Sequence, residues 1–155
     1  ILLQSRPVPY GSEMRTSISI FVPGIPIAQP RPTMTRYGHV FTKDAKVRPW
    51  KAAIRARLLF AEEYRGELVR FFEIASSRGL KVEAIFVLPK PKTKKAGPPH
   101  LRRPDLDNLL KAAIDAFAEV GLPEDAVVVE IIARKVTASE GREPGMSLRL
   151  EVESE

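Results

Sequence analysis

Apolar residues recur along the chain with two periods, one of strands and one of helices. Residues 16–24 alternate Ile18, Ile20 and Val22 with small or polar neighbours and stop at Pro23-Gly24, the pattern of a half-buried strand. Over 48–64, Trp50, Ile54, Leu58 and Ala61 fall at helical spacing behind Pro49, which suits a first turn, so a helix with a buried Trp50 is predicted. Residues 80–89 alternate again through Leu80, Val82, Ala84, Phe86 and Leu88. The helical period returns at 105–121. At about 100° per residue, Leu106, Leu109, Leu110, Ala113, Ile114 and Phe117 share one side and Asp107, Asn108, Lys111 and Asp115 the other. Residues 124–137 and 146–153 read as strands joined through a GREPG turn and are expected to pair as an antiparallel hairpin. The remaining stretches are less regular. Residues 25–46 read as a long proline-bearing loop, a type that is often functional. Residues 65–79 hold an ambiguous VRFFEIA followed by an SSRG breaker, with Ser76-Ser77 read as a turn. Residues 90–104 form a basic, proline-rich loop. The order β-α-β-α-β-β predicts an α/β (α+β) fold with helices packed on a small mixed sheet. Residues 1–13 are expected to be a tag-like or disordered start, and 14–155 one domain.

Charge changes the picture more than composition does. No apolar run approaches the ~20 residues needed to span a bilayer, so no membrane partner is expected. The absence of cysteine excludes disulfides, thiolate chemistry and Cys-based zinc sites, in keeping with a cytoplasmic location. The net charge of +6 suggests a polyanionic partner, and its distribution sharpens that reading. Six cations and no acid lie between Lys90 and Arg103: Lys90, Lys92, Lys94, Lys95, Arg102 and Arg103. Eight lie between Arg31 and Arg57 against the single acid Asp44.

Against this background the aspartates are oddly placed. The chain has five, and four of them fall between Asp105 and Asp125, directly after the basic loop. An ordinary amphipathic helix accounts for part of this. Asp105 can cap the first turn, and Asp107, Lys111 and Asp115 can form an i, i+4 ladder, each rung worth about 0.2–0.5 kcal/mol. Glutamate, the better helix former, would serve a ladder as well. Short carboxylates held close together repel and need a cation or a proton. A hard cation such as Mg²⁺ takes a few carboxylates and keeps waters that a phosphate can replace. Carboxylates and a metal beside Lys and Arg are the layout for cutting a phosphodiester. Asp125 joins such a cluster if its strand runs alongside the start of the helix. A calcium loop is excluded, because Leu110 stands where that loop requires glycine. His39 and His100 are expected to face solvent or DNA from loops.

The stretch RRPDLDNLLKAAIDAF, with GLPEDAVV after it, resembles the RusA-like endodeoxyribonucleases, which resolve Holliday junctions. The shared pattern is D-x-D-N-x-x-K-x-x-x-D-A, here Asp105, Asp107, Asn108, Lys111, Asp115 and Ala116, then Asp125 and Val128. Residues 22–54 also resemble the strand, Pro/Arg-rich loop and aromatic turn that open many members. The resemblance implies a homodimeric nuclease for four-way DNA junctions, dependent on Mg²⁺, and leaves open whether Mn²⁺ substitutes. It implies metal ligation by Asp105, Asp107 and Asp125 and an essential Lys111, with Asp115 in support. Arg31 matches a DNA-contacting position, and the Lys90–Arg103 cations would hold backbone phosphates. Two other functions share these residues. One is a nuclease of broader range on flaps and forks. The other is a non-catalytic DNA-binding protein with a structural aspartate ladder.

Overall fold

A computed structural model describes residues 15–61, 66–92, 100–122 and 124–154. The elements are β1 (Ser17–Pro23), the two-residue strands β2 (Thr33–Met34) and β3 (Val40–Phe41), α1 (Val47–Phe60), α2 (Leu68–Arg78), β4 (Leu80–Leu88), α3 (Leu106–Ala118), a 3₁₀ turn (Asp125–Val127), β5 (Val128–Thr137) and β6 (Gly145–Val152). The expected α+β class holds. A mixed sheet in the order β1-β6-β4-β5 carries the three helices, and β2 and β3 form a separate ribbon. The expected first 13 residues lie outside the described residues.

Alternation along the strands builds the core directly. Register places Ile18, Leu150 and Val82 in one row across the sheet, Ile20, Leu148 and Ala84 in the next, and Val22, Met146 and Phe86 in a third. The buried stripes of the helices pack on this face: Trp50, Ile54 and Leu58 from α1, Phe71, Phe72 and Ala75 from α2, and Leu109, Ala113 and Phe117 from α3. Each large side chain so buried is worth about 1.5–3 kcal/mol. Ser19, Glu83, Ser147 and Arg149, on the opposite face, are exposed.

Two expectations are corrected. The last two strands are not a hairpin, because β4 lies between them, parallel to β5 and antiparallel to β6. Six of the nine residues of β4 are buried, which suits a strand flanked on both sides, whereas β5 carries Glu130, Arg134 and Lys135 and takes the edge. The parallel β4–β5 pair requires a crossover, which α3 provides. The link from β5 to β6 then passes over the end of β4, where the Ala138 N–H donates to the Leu88 carbonyl (2.8 Å). The second correction concerns Ser76 and Ser77, which lie inside α2 rather than in a turn. Their hydroxyls donate back to the Phe72 and Ile74 carbonyls, so the serines are absorbed by the helix they were expected to break. The helix ends at Arg78 and is capped by the next residue. Gly79 has φ +98°, and a side chain there would press on the Val129 methyls at 3.1 Å.

Candidate active site

The start of α3 leaves its acids unspent. Asp105 holds the N-cap position with extended backbone, and its carbonyl accepts the Leu109 N–H (3.1 Å), yet its carboxylate makes no capping bond. Asp107 in the first turn accepts only the adjacent Asn108 N–H (2.9 Å) among the bonds described for it. The positive end of the helix dipole favours both carboxylates there. The Ala28–Arg31 segment docks on the same turn. Its Gln29 N–H donates to the Asn108 carbonyl (2.9 Å), and Arg31 Nη2 lies 4.0 Å from Asp105 Oδ2. Between them is a recess of about 530 Å³, also walled by Arg103 and Pro104. Beside it the Gln29 side-chain oxygen is buried without a hydrogen-bond partner among the described residues.

The expected ladder is present only in its second rung. Lys111 Nζ turns to Asp115 Oδ1 (3.3 Å), and no bond joins it to Asp107 among the described residues. Lys111 is exposed, so this pairing is weak and easily exchanged. Arg102, Arg103, Lys90, Lys92 and Arg31 are exposed around the same helix start, in keeping with phosphate contact. Lys94 and Lys95 lie outside the described residues.

Asp125 stands elsewhere. It opens the 3₁₀ turn at the start of β5, beyond the far end of α3. The opposite end of β5 is the one that reaches the Asp105 region, through Lys135. Seven residues of strand separate Val128 from Lys135, about 23 Å at ~3.3 Å per residue. Asp105 and Asp107 are therefore brought together, whereas Asp125 of the same chain is not. Among the described residues no three carboxylates or imidazoles gather closely enough to hold one ion.

Lys135 was not singled out by the sequence. Its ammonium donates to the carbonyls of Arg102 (2.6 Å) and Pro104 (2.8 Å), fastening the segment that delivers Asp105. The available signal was a lysine in register with Phe86, on the helix-covered side of a strand. His100, expected to face solvent, is only 5% exposed and lies among Leu88, Pro89 and Pro104. Among the described residues its Nδ1 has no hydrogen-bond partner, and burial, followed by the nearby Lys135 charge, holds its pKa below the usual histidine value. His39 is exposed as expected.

A carboxylate pair at a helix start, bordered by exposed Lys and Arg on a basic chain, suits a nucleic-acid backbone. The chain matches the family described as Endodeoxyribonuclease RusA over residues 23–151 and belongs to that family, which makes it a DNA-acting nuclease. The resemblance carried by the aspartate motif is thereby borne out. No curated protein matches the chain. No described helix is long and apolar enough to cross a membrane.

Proposed function

We propose that the protein is a Mg²⁺-dependent endonuclease that resolves four-way DNA junctions by paired symmetric nicks, and that it works as a homodimer whose sites each draw on both subunits. The carrying observation is the unspent Asp105–Asp107 pair at the start of α3, inside a basic surface of a RusA family member.

The dimer follows from β5. One side of this strand pairs with β4, and among the described residues no strand pairs with the other. Val129, Ile131 and Ile132 along it are 43–57% exposed, an apolar edge of the kind that pairs with another chain. In a two-fold dimer the strand meets its own copy antiparallel. Centring the pairing on Glu130, within the exposed run, sets Val129 opposite Ile131 and Asp125 opposite Lys135. Asp125 of the partner subunit then arrives beside Lys135, whose ammonium holds the segment preceding Asp105. The acid that one chain keeps at the wrong end is thus supplied by the second.

Two short carboxylates and a third from across the interface suit a small hard cation, which needs few protein oxygens. Asp105, Asp107 and Asp125 of the partner subunit would hold it. When bound, the ion supplies charge neutralisation at the phosphate and a more acidic water. The chain's own residues do the rest. Lys111, released from Asp115, places its ammonium where charge grows on the phosphate or leaving oxygen. Arg31, Arg102, Arg103, Lys90 and Lys92 hold flanking phosphates without reading bases, so binding weakens steeply with salt.

The test is nicking of an immobile four-way junction with Mg²⁺ or EDTA, beside linear duplex, flap and fork of equal length. Paired incisions on the junction, lost in EDTA and in Asp107→Asn while junction binding persists, are expected. Near wild-type nicking by Asp107→Asn would end the ligand assignment. Equal rates on flaps and forks would widen the substrate to branched DNA in general, and no product with any metal would leave only a DNA-binding protein.

A further inference from the structure

The β2–β3 ribbon exposes apolar side chains that the core does not use. Register sets Met34 opposite Val40 and Thr33 opposite Phe41. Met34 is 68% exposed, Val40 65% and Tyr37, at the tip, 81%. A two-stranded ribbon is marginal in water by itself, yet this tip is fastened. Thr35 and His39 close it through a backbone bond (2.7 Å), and Thr35 Oγ1 accepts the Tyr37 and His39 N–H groups (3.3 and 3.0 Å). Gly38 completes the turn at φ +86°, a conformation that suits glycine. The Arg36 guanidinium lies 5.8 Å from the Tyr37 ring centre, backing an aromatic surface with a cation. The root of the ribbon is the Gln29–Arg31 segment docked on the aspartate helix. Tyr37 is six residues beyond Arg31, so the tip reaches up to about 20 Å from that arginine.

Charge selects the occupant. Arg31, Arg36, Lys43 and Lys46 flank the ribbon, and the single acid in this stretch of sequence, Asp44, is taken by Arg48 (2.7 Å). A second copy of the ribbon would be repelled. A polyanion that offers flat apolar faces fits, and unpaired nucleobases at a DNA branch point are such faces. We propose that residues 33–41 form a wedge that enters the opening of a branched DNA, with Tyr37 stacked on an unpaired base and Met34 and Val40 covering the adjacent step. Apolar wedges flanked by cations unstack base steps, and aromatic stacking tolerates any sequence. The wedge would make binding selective for branches rather than linear duplex. It rests on the branched-DNA reading for its substrate and goes beyond it in assigning the residues that recognise the branch.

The experiment measures binding in EDTA, so that it does not depend on cleavage. Wild type, Tyr37→Ala, Tyr37→Trp and the double variant Met34→Ser/Val40→Ser are titrated against a four-way junction carrying 2-aminopurine at the crossover and against linear duplex. Wild type should brighten the crossover 2-aminopurine. Tyr37→Ala should bind the junction about 5–100-fold more weakly, with linear duplex changed less than about twofold and Tyr37→Trp restoring affinity. The double variant should lose part of the brightening. Equal losses on both DNAs, no loss on either, or an unchanged 2-aminopurine signal would each overturn the wedge. A wild type that brightens the probe but never nicks would count against the nuclease reading alone. One that nicks junctions while Tyr37→Ala binds them as tightly would count against the wedge alone.

Discussion

Two variants that are each dead should revive one another if the active site is built across the β5 edge. Asp107→Asn removes an acid at the start of α3, and Asp125→Asn removes the acid beyond its other end, about 23 Å along the strand. In a dimer with shared sites, each site combines the 105–107 pair of one chain with Asp125 of the partner subunit. A mixed dimer of the two variants therefore concentrates both substitutions in one site and leaves the other with every acid intact. Random reassortment of equal amounts makes about half the dimers mixed, and each has one working site of two, so nicking should recover to about a quarter of wild type. The product should also change. An intact dimer resolves the junction by two nicks, whereas the mixed dimer should make one and stop at a nicked, unresolved junction. Denaturing gels on a junction labelled in opposite strands, after mixing or co-expression, read both quantities. Confirmed mixed dimers with no recovered nicking would refute the shared site and, given the distance between Asp105 and Asp125 within one chain, the three-aspartate ion site with it.

Three further outcomes test the supports around that site. Lys135→Met deletes two charge-assisted bonds to the Arg102 and Pro104 carbonyls, together worth about 1–3 kcal/mol at this partly exposed position. Tm should fall by about 2–10 °C and nicking at least tenfold, with junction affinity changed less than about threefold. Wild-type melting and nicking would remove its positioning role, and partial rescue by Lys135→Arg would support it. Ile132→Glu places a charge within the proposed strand pairing, so sedimentation should show monomer, and nicking should fall with dimer content; an intact active dimer would place the interface elsewhere. His100 is held neutral by burial, its folded pKa lying below the unfolded value of about 6.5. As pH drops through that value the unfolded chain takes up the proton first, so stability falls with acidification and levels off below the folded pKa. Melting between about pH 7.5 and 5.5 should therefore drop more for wild type than for His100→Asn, and equal drops would contradict the assignment.

What was legible in the sequence was local. The helix at 106–118 announced itself because a 3.6-residue period and a dense acidic motif coincide over one short stretch, and both survive in the fold. The first strand and β4 were legible for the same reason, their alternation being carried whole into the core rows. Pairing between strands was not, since β5 and β6 look alike to a two-residue period whether they are neighbours or are separated by β4. A cue did exist. The segment between β4 and β5 contains a full helix, which is the length of connection that parallel neighbours need. The ribbon at 33–41 was hidden because two-residue strands are too short to show any period. His100 was misread because only tertiary packing distinguishes a buried loop histidine from an exposed one.

The aspartates show a deeper limit. Motif spacing identifies which acids belong to one chemistry, yet it is silent on which copy of the chain supplies each of them. The 105–107 pair and Asp125 are separated by α3, and the strand that follows Asp125 runs back toward the helix start, so the chain returns to the site with Lys135 rather than with Asp125. The same strand that carries Asp125 away leaves Val129, Ile131 and Ile132 on an open edge. In the proposed dimer an antiparallel copy would cover the apolar run that the core leaves open. That pairing would move the second copy's strand start to the first copy's strand end. The exposed edge and the distance of Asp125 from Asp105 are thus two consequences of one topology, and the proposed interface would answer both.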